Sequence, residues 1–392
     1  MTIGFLINTC EPFYRGGYER RTWALARELA RQGHDVRVYT SCLRDEVIEG
    51  VRFVRFGPLR SFFNERGVRN GWADLLFTLG ILRLRRAVRS GELDVLDVCA
   101  TPFLHLPVVA FIARLRRISV VLTCHEALLA SLPAYVRERG NRGRFARRFF
   151  TGLLEMIYCW GMDLFPRRLA VSQQTAAALE SEGYPAAAVV EFGLEPEAFS
   201  ALEPEAKLEG EPARFVFCGR LTPIKNVLET VRTLLSLHTE GEKFRFDIIG
   251  EGSERARLED LVSRAQAQAK IFFHGQVSEE AKRSLLAQSE IFVLSSPREG
   301  FSIATLEAMA QGCGAVIVSD PRQPNGALDF VQDGKQGLCI KPGWVPMKQT
   351  LRTLLRNPEL RLRLRKEAWK MSVRYRVETQ ARKLAEFYPR VN

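Results

Sequence analysis

The chain has 392 residues, 46% of them apolar and 26% charged, with a formal net charge of +12. This length suits two domains of ordinary size, and the composition is that of a folded globular protein rather than a disordered or collagen-like one. No apolar run reaches eighteen residues, so the sequence offers no transmembrane helix. The first strand-like run, IGFLIN, starts at Ile3 without a basic leader, and no signal peptide is expected. Eight cysteines stand at spacings that suit neither a metal site nor a redox pair. They read as buried thiols of a reducing, cytoplasmic compartment.

The basic excess is even at long range: 27 basic against 21 acidic residues in 1–200, and 30 against 24 in 201–392, a surplus of six in each part. Locally it clusters. Arg52 to Arg89 holds nine arginines and two acids, and Arg114 to Arg148 holds the same numbers. In the second cluster, RERGNRGRFARRFFTGLL interleaves arginine with aromatic and aliphatic groups. A solvated helix face accounts for such a segment as well as an anionic membrane surface or a nucleic-acid backbone does. No aromatic-rich RNA signature or DNA-reading motif accompanies the arginines, so no nucleic-acid partner is expected.

In chain order, strand-like runs alternate with helical patterns. IGFLIN leads to YERRTWALARELARQG, where Trp23, Leu25, Ala26, Leu29 and Ala30 fall near one helical stripe and Gly33 supplies the stop. DVRVYT, VRFVRF, DVLDVC, ISVVLTC and RRLAVS come after it. Residues 196–212, rich in Glu, Pro and Ala, break the pattern and read as a linker. It then restarts with RFVFCG, FRFDIIG, KIFFHG, EIFVLSS and GAVIVS. The expected fold class is α/β: two doubly wound Rossmann-like domains, 1–195 and 213–374, facing a cleft. The basic helical end, 375–392, is a segment that can return to the first domain. Ligands of such sheets sit beyond the carboxyl ends of the strands, so residues there carry the chemistry.

Four strand ends converge on one kind of ligand. After IGFLIN, Gly16-Gly17 opens the first long helix, where glycine permits close approach and a helix start favours an anion; taken by itself, the pair reads as a plain turn. After RFVFCG, Arg220 and Lys225 bracket a proline loop, two cations suited to a diphosphate. After EIFVLSS, Glu299 stands in a turn while Ser302 to Gln311 reads as a helix closed by Gly312. Glu307 then lies on the second helical turn, among Ala304, Leu306, Ala308 and Met309. Eight helical residues would rise about 12 Å, the order of a ribose-to-hexose separation in a nucleotide sugar. The diphosphate would lie between the two carboxylates, over the amides of Gly300, Phe301 and Ser302. After ISVVLTC comes His125, a polar residue at a strand end.

With these residues in view, the chain resembles the retaining glycosyltransferases of family four, which have the GT-B fold. The segments that carry the likeness are GGYERRTWALARELARQGHDVRVYT, VSQQTAAALESEGYP, GRLTPIKN, IIGEGSERARLEDL and the glutamate–seven–glutamate stretch SSPREGFSIATLEAMAQG. The resemblance implies that Arg220 and Lys225 hold the donor diphosphate and Glu307 the ribose. It gives Glu299, with the amides of Gly300 and Phe301, the transferred sugar. His125 would touch that sugar's far side, Gly16-Gly17 would line the phosphate and acceptor region, and backbone near Gly275 would meet the base. The family's usual Asn-Gly is Phe192-Gly193 here, and a common glutamate within GALDFV is replaced by Leu328.

The expected function is transfer of a hexose-type sugar, with retention, from a nucleotide diphosphate sugar to a glycan or lipid-linked acceptor of the cell envelope. A UDP-sugar is favoured and GDP-mannose is the second choice. No metal and no cofactor are expected, since the cations replace a metal at the leaving group. The rival readings are a nucleotide-sugar epimerase of the same architecture and a non-catalytic glycan- or membrane-binding scaffold. The expected location is cytoplasmic, peripheral at the inner membrane face, with segments 52–89 and 114–148 against anionic lipid.

Overall fold

A computed structural model describes residues 1–12, 16–42, 44–57, 71–82, 91–101, 103–129, 144–205 and 211–388. The chain divides into two compact units: Met1–Gly193 with Val377–Asn392, and Leu194–Arg376.

Unit 1 holds β1 (Thr2–Leu6), α1 (Gly17–Arg31), β2 (Asp35–Ser41), β3 (Glu46–Ile48), β4 (Val51–Gly57), α2 (Gly71–Ile81), β5 (Val95–Cys99), α3 (Leu106–Arg116), β6 (Val120–Cys124), α4 (Arg144–Asp163), β7 (Arg168–Ala170), α5 (Gln173–Ser181) and β8 (Ala188–Val189). Among the described residues its sheet runs β3-β4-β2-β1-β5-β6-β7-β8, parallel except for β3 against β4. The order reverses at β1, whose neighbours are β2 and β5. That reversal is where an open α/β sheet leaves room for a ligand.

Unit 2 holds β9 (Ala213–Cys218), α6 (Val227–Thr239), β10 (Phe244–Ile249), α7 (Arg255–Arg264), β11 (Ile271–Gly275), α8 (Glu279–Gln288), β12 (Ile291–Leu294), α9 (Ile303–Ala310), β13 (Gly314–Val318), β14 (Gly337–Ile340), α10 (Trp344–Arg356) and α11 (Pro358–Ser372). Its sheet, β11-β10-β9-β12-β13-β14, is wholly parallel, with the reversal at β9. The last helix, α12 (Val377–Phe387), belongs to unit 1.

Alternation along β5 shows why unit 1 is covered on both faces. Leu96 and Val98 join a core with Phe77 and Ile81 of α2, Leu106 and Val109 of α3, and Tyr158 and Met162 of α4. Val95 and Cys99 join a separate core with Trp23, Leu25 and Leu29 of α1 and Ala381 and Leu384 of α12. A period of two on the strand thus feeds two layers of helices. Asp97 falls on the α1/α12 face and is 4% exposed. Its carboxylate accepts from Thr123 at 2.6 Å and from the Tyr388 hydroxyl at 2.7 Å. Burial raises the Asp97 carboxyl above its ordinary range, and these two donors oppose the rise.

The stretch 196–212, read from sequence as a linker, is strapped onto unit 2 over its described part. Ser200 N donates to Ala310 O at 2.9 Å, and the Gln311 amide donates to Ala198 O at 2.7 Å. Arg365 reaches Glu205 O at 2.8 Å, and the Trp369 indole reaches Ser200 O at 3.3 Å. The bonds come from α9 and α11, elements far along the chain that local composition does not reveal. No helix among the described residues is long and apolar enough to cross a membrane.

Replacing Tyr388 with Phe removes one donor from a buried carboxylate while keeping the ring. We expect a loss of about 1–3 kcal/mol in urea unfolding. An unchanged midpoint would show that α12 is held by apolar contact alone.

Candidate functional site

In unit 2, three adjacent strands end in backbone that crowds together. Gly219 N donates to Ile249 O at 3.0 Å after β9, and Gly250 N donates to Gly275 O at 2.8 Å after β10. A Cβ on Gly250 would stand 2.0 Å from Gly219 O, and one on Gly252 would stand 2.3 Å from Leu221 O. Both residues also have positive φ, so only glycine lets these strand ends close up. Gly275 lies in the same row, its φ at 67°.

The loop after β9 carries Arg220, which is exposed, and then a single 3-10 turn, Pro223–Lys225. Proline starts the turn and Asn226, left-handed at φ 50°, ends it. This loop is tied to the end of β12, where the Ser295 hydroxyl donates to Lys225 O at 2.8 Å. The Lys225 ammonium lies 2.6 Å from the Glu299 carboxylate, which also accepts from the Ser296 hydroxyl. Two residues singled out separately in the sequence are therefore in direct contact. Glu299 owes its place to a short parallel bridge with Asn325. Asn325 is fully buried and donates to Ser296 O and Val318 O, so it clamps the ends of β12 and β13. Beside it, a Cβ on Gly326 would stand 2.2 Å from Gly300 O.

The helix expected over Ser302 to Gln311 is α9, Ile303–Ala310, one residue shorter at each end. Ser302 takes a left-handed conformation at φ 65°, which removes it from the helix and makes it the N-cap. Phe301 packs on Phe330 and Tyr375. Glu307 is on α9 and 6% exposed. Its two oxygens lie 3.0 and 3.1 Å from the ammonium of Lys282 on α8, itself 7% exposed. Glu279 completes the cluster at 2.7 Å from the same ammonium. Sequence reasoning missed Lys282: its 25-residue separation from Glu307 carries no periodic signal, and its helix is otherwise ordinary. It also missed Asn325-Gly326 and Gly250, whose roles are contacts between loops.

Unit 1 contributes a second group. Gly16 precedes α1 in extended backbone, and Gly17 is its first residue. A Cβ on Gly16 would stand 2.2 Å from the Glu19 carboxylate, which accepts from the Thr9 hydroxyl at 2.9 Å. His125 comes after β6 and is 3% exposed. Its ring stacks on Tyr18 at 4.3 Å, and the Tyr18 hydroxyl donates to Glu126 at 3.0 Å. A small cavity beside it is lined by Arg21, Asp97 and Thr123. Burial, then the charge of Arg21, push the His125 imidazole well below its ordinary range. The ring is therefore neutral at neutral pH and can donate or accept one hydrogen bond without bringing charge. His125 and the glycines belong to unit 1; Arg220, Lys225, Gly275, Glu299 to Ser302 and Glu307 belong to unit 2. Among the described residues no three His, Cys, Asp or Glu side chains group as metal ligands do.

Two family models match the chain: Glycosyltransferase Family 4 over residues 15–197, and Glycosyl transferases group 1 over 200–371. The GDP-mannose-dependent alpha-(1-6)-phosphatidylinositol dimannoside mannosyltransferase of Mycobacterium tuberculosis is 32% identical over 145 residues, 37% of this chain and 36% of that protein. The matched parts span less than half the length of the curated relatives of this kind. Among solved structures, a sucrose-phosphate synthase from Thermosynechococcus elongatus has a TM-score of 0.75 at 18% identity, covering 99% of this chain and 98% of that one. HepE of Anabaena in complex with UDP has a TM-score of 0.69 at 16% identity, covering 98% and 99%. At such identities the structures establish fold, and the two matched domains establish kinship. The chain belongs to the two-domain glycosyltransferases of the family-four type, with the GT-B fold.

Proposed function

We propose that the chain is a retaining hexosyltransferase that uses a nucleotide diphosphate sugar and needs no metal. The observation that carries this reading is the cluster at the carboxyl ends of the unit 2 strands, where Lys225 meets Glu299 and Lys282 meets Glu307. Arg220 and Lys225 bind the diphosphate, with the start of α9 and the amides of Gly300, Phe301 and Ser302 adding their dipoles. Glu299 grips hydroxyls of the transferred sugar, and Glu307 grips the ribose diol. Backbone at Gly275 meets the base. On unit 1, the family resemblance assigns ligand contacts to the neutral His125 and to Gly16-Gly17.

In the reaction the bond between the anomeric carbon and the diphosphate oxygen breaks. The acceptor oxygen bonds to the same face of that carbon, and its proton passes to the departing diphosphate. Ion pairing between Lys225 and Glu299 before binding keeps both charges placed; a diphosphate then competes for the ammonium. The uridine donor is favoured because a fold neighbour is described with UDP, and guanosine is the second choice because the mycobacterial relative uses GDP-mannose. That relative's lipid-inositol acceptor supports a lipid-linked acceptor here, made or used at the cytoplasmic membrane face.

A thermal-shift screen of nucleoside diphosphates and their sugars tests the donor. A ligand at a hundred times its Kd should add about 2.7 kcal/mol to stability, and a flat response to uridine and guanosine diphosphates would reject the site. Nuclear magnetic resonance of the product's anomeric centre tests retention; inversion would overturn the mechanism. Donor consumed without an acceptor, giving an epimer, would favour the epimerase.

Lys282→Met should cost about 3–5 kcal/mol, because it leaves the Glu307 charge buried without its partner. The double variant Lys282→Met/Glu307→Gln should regain most of that stability yet bind donor poorly. Glu307→Gln alone should weaken donor binding about tenfold or more. Full donor affinity in Glu307→Gln would remove this carboxylate from the site.

A further inference from the structure

We propose that the outer surface of α2, α3 and α4 in unit 1 docks onto an anionic lipid bilayer. Of fifteen large apolar side chains exposed among the described residues, eight lie on these three helices and a ninth, Leu82, immediately follows α2. Surface apolar residues are normally scattered, so such a concentration marks a contact face.

Each helix is apolar twice. Its inner side fills the core under the sheet, as Phe77 and Ile81 do from α2. Its outer side then presents a second stripe. On α2 this stripe includes Leu79 and Leu82; on α3 it is Phe111, 68% exposed, and Leu115; on α4 it is Met156, 61% exposed, and Trp160. The pairs on α3 and α4 are four residues apart and so stand side by side on their helices. α2 packs against α3 and α3 against α4, all three serving the same core. The stripes therefore share one side of unit 1.

Charge selects the occupant. α3 ends in Arg114 and Arg116 and is followed by Arg117, with Arg114 and Arg117 exposed beside Leu115. In sequence, Arg83, Arg85, Arg86 and Arg89 come after α2 with no acid among them, and α4 opens with Arg144, Arg147 and Arg148. Segments 58–70, 83–90 and 130–143 lie outside the described residues, so the rest of both arginine clusters contributes by composition only. A second copy of this chain would set the exposed Arg114 and Arg117 against the same residues across a two-fold axis, which like charge opposes. Anionic headgroups over an acyl interior satisfy both features at once: phosphates pair with guanidinium groups, and Phe111, Met156 and Trp160 enter the boundary. Trp160 suits that depth, with an apolar ring and one polar N–H.

This surface deepens the lipid-linked acceptor reading, but its binding is measured without donor or acceptor, so either can fail alone. The full chain is sedimented with vesicles of phosphatidylcholine, with and without phosphatidylglycerol. We expect binding to the phosphatidylglycerol vesicles, weakened as salt rises to about 0.5 M. Tryptophan emission should shift to the blue, and Trp160→Phe should lose most of that shift. Phe111→Glu/Leu115→Glu changes only exposed positions; it should lower partitioning about tenfold or more and leave the melting temperature and nucleotide shift unaltered. The proposal is overturned by absent binding, by equal binding to neutral vesicles, or by wild-type partitioning of the double variant. It is overturned equally if the wild type is a dimer that this variant splits without changing vesicle binding.

Discussion

Three parallel strands of unit 2, β9, β10 and β11, run out side by side, and the chain must turn there while each amide still finds an acceptor. Gly219, Gly250 and Gly275 solve this by bonding to one another's neighbouring backbone at 3.0 Å or less. The solution demands bare backbone, since a methyl at Gly250 would collide with Gly219 O. It leaves a floor of peptide groups, with the paired Glu251 and Arg255 side chains against Gly275. Arg220 and Lys225 stand on one edge, and Glu299 is delivered by the next strand over.

The same need for paired polar groups shapes the interior. Glu307 sits among the apolar residues of α9, where an isolated carboxylate would be costly, and Lys282 offsets that cost from α8. Glu290 and Arg361 do the same beneath the sheet, at 3.0 Å, and the Arg361 guanidinium also caps Leu355 O. Asp97 of unit 1 relies on two hydroxyl donors, with the charge of buried Arg21 adding to them. A buried ion pair favours a fixed geometry over raw stability, which suits a residue that must present its oxygens to a ligand in one direction.

Much of this is legible in the sequence because parallel strands buried on both faces announce themselves. GAVIV, IFVL and FVFC are continuous apolar runs, and each lies in a strand. The residues just after them can be singled out by position alone; of these, Lys225 and Glu299 meet in unit 2, while Glu307 pairs with Lys282. Contacts between segments distant along the chain stay hidden. Lys282 looks like any lysine on a helix; Asn325-Gly326 looks like a turn; the acidic stretch 196–205 looks unstructured until α9 and α11 bind its carbonyls. His125 stands out by position, but its stacking on Tyr18 depends on the first turn of α1, 107 residues earlier, a separation that no local pattern encodes.

The path of α12 has a consequence for how the molecule is made. Most of unit 1 is translated before unit 2, yet its α1 face stays uncovered until Val377–Phe387 emerges from the ribosome. Unit 2 lies between, and its synthesis takes about 10–40 s at ordinary elongation rates. During that interval the core beside α1 lacks Ala381 and Leu384 and the Asp97 carboxyl lacks its Tyr388 donor, an invitation to chaperones. The unit that is started earlier is thus finished later, and damage near residue 380 would be felt in the half that was built first.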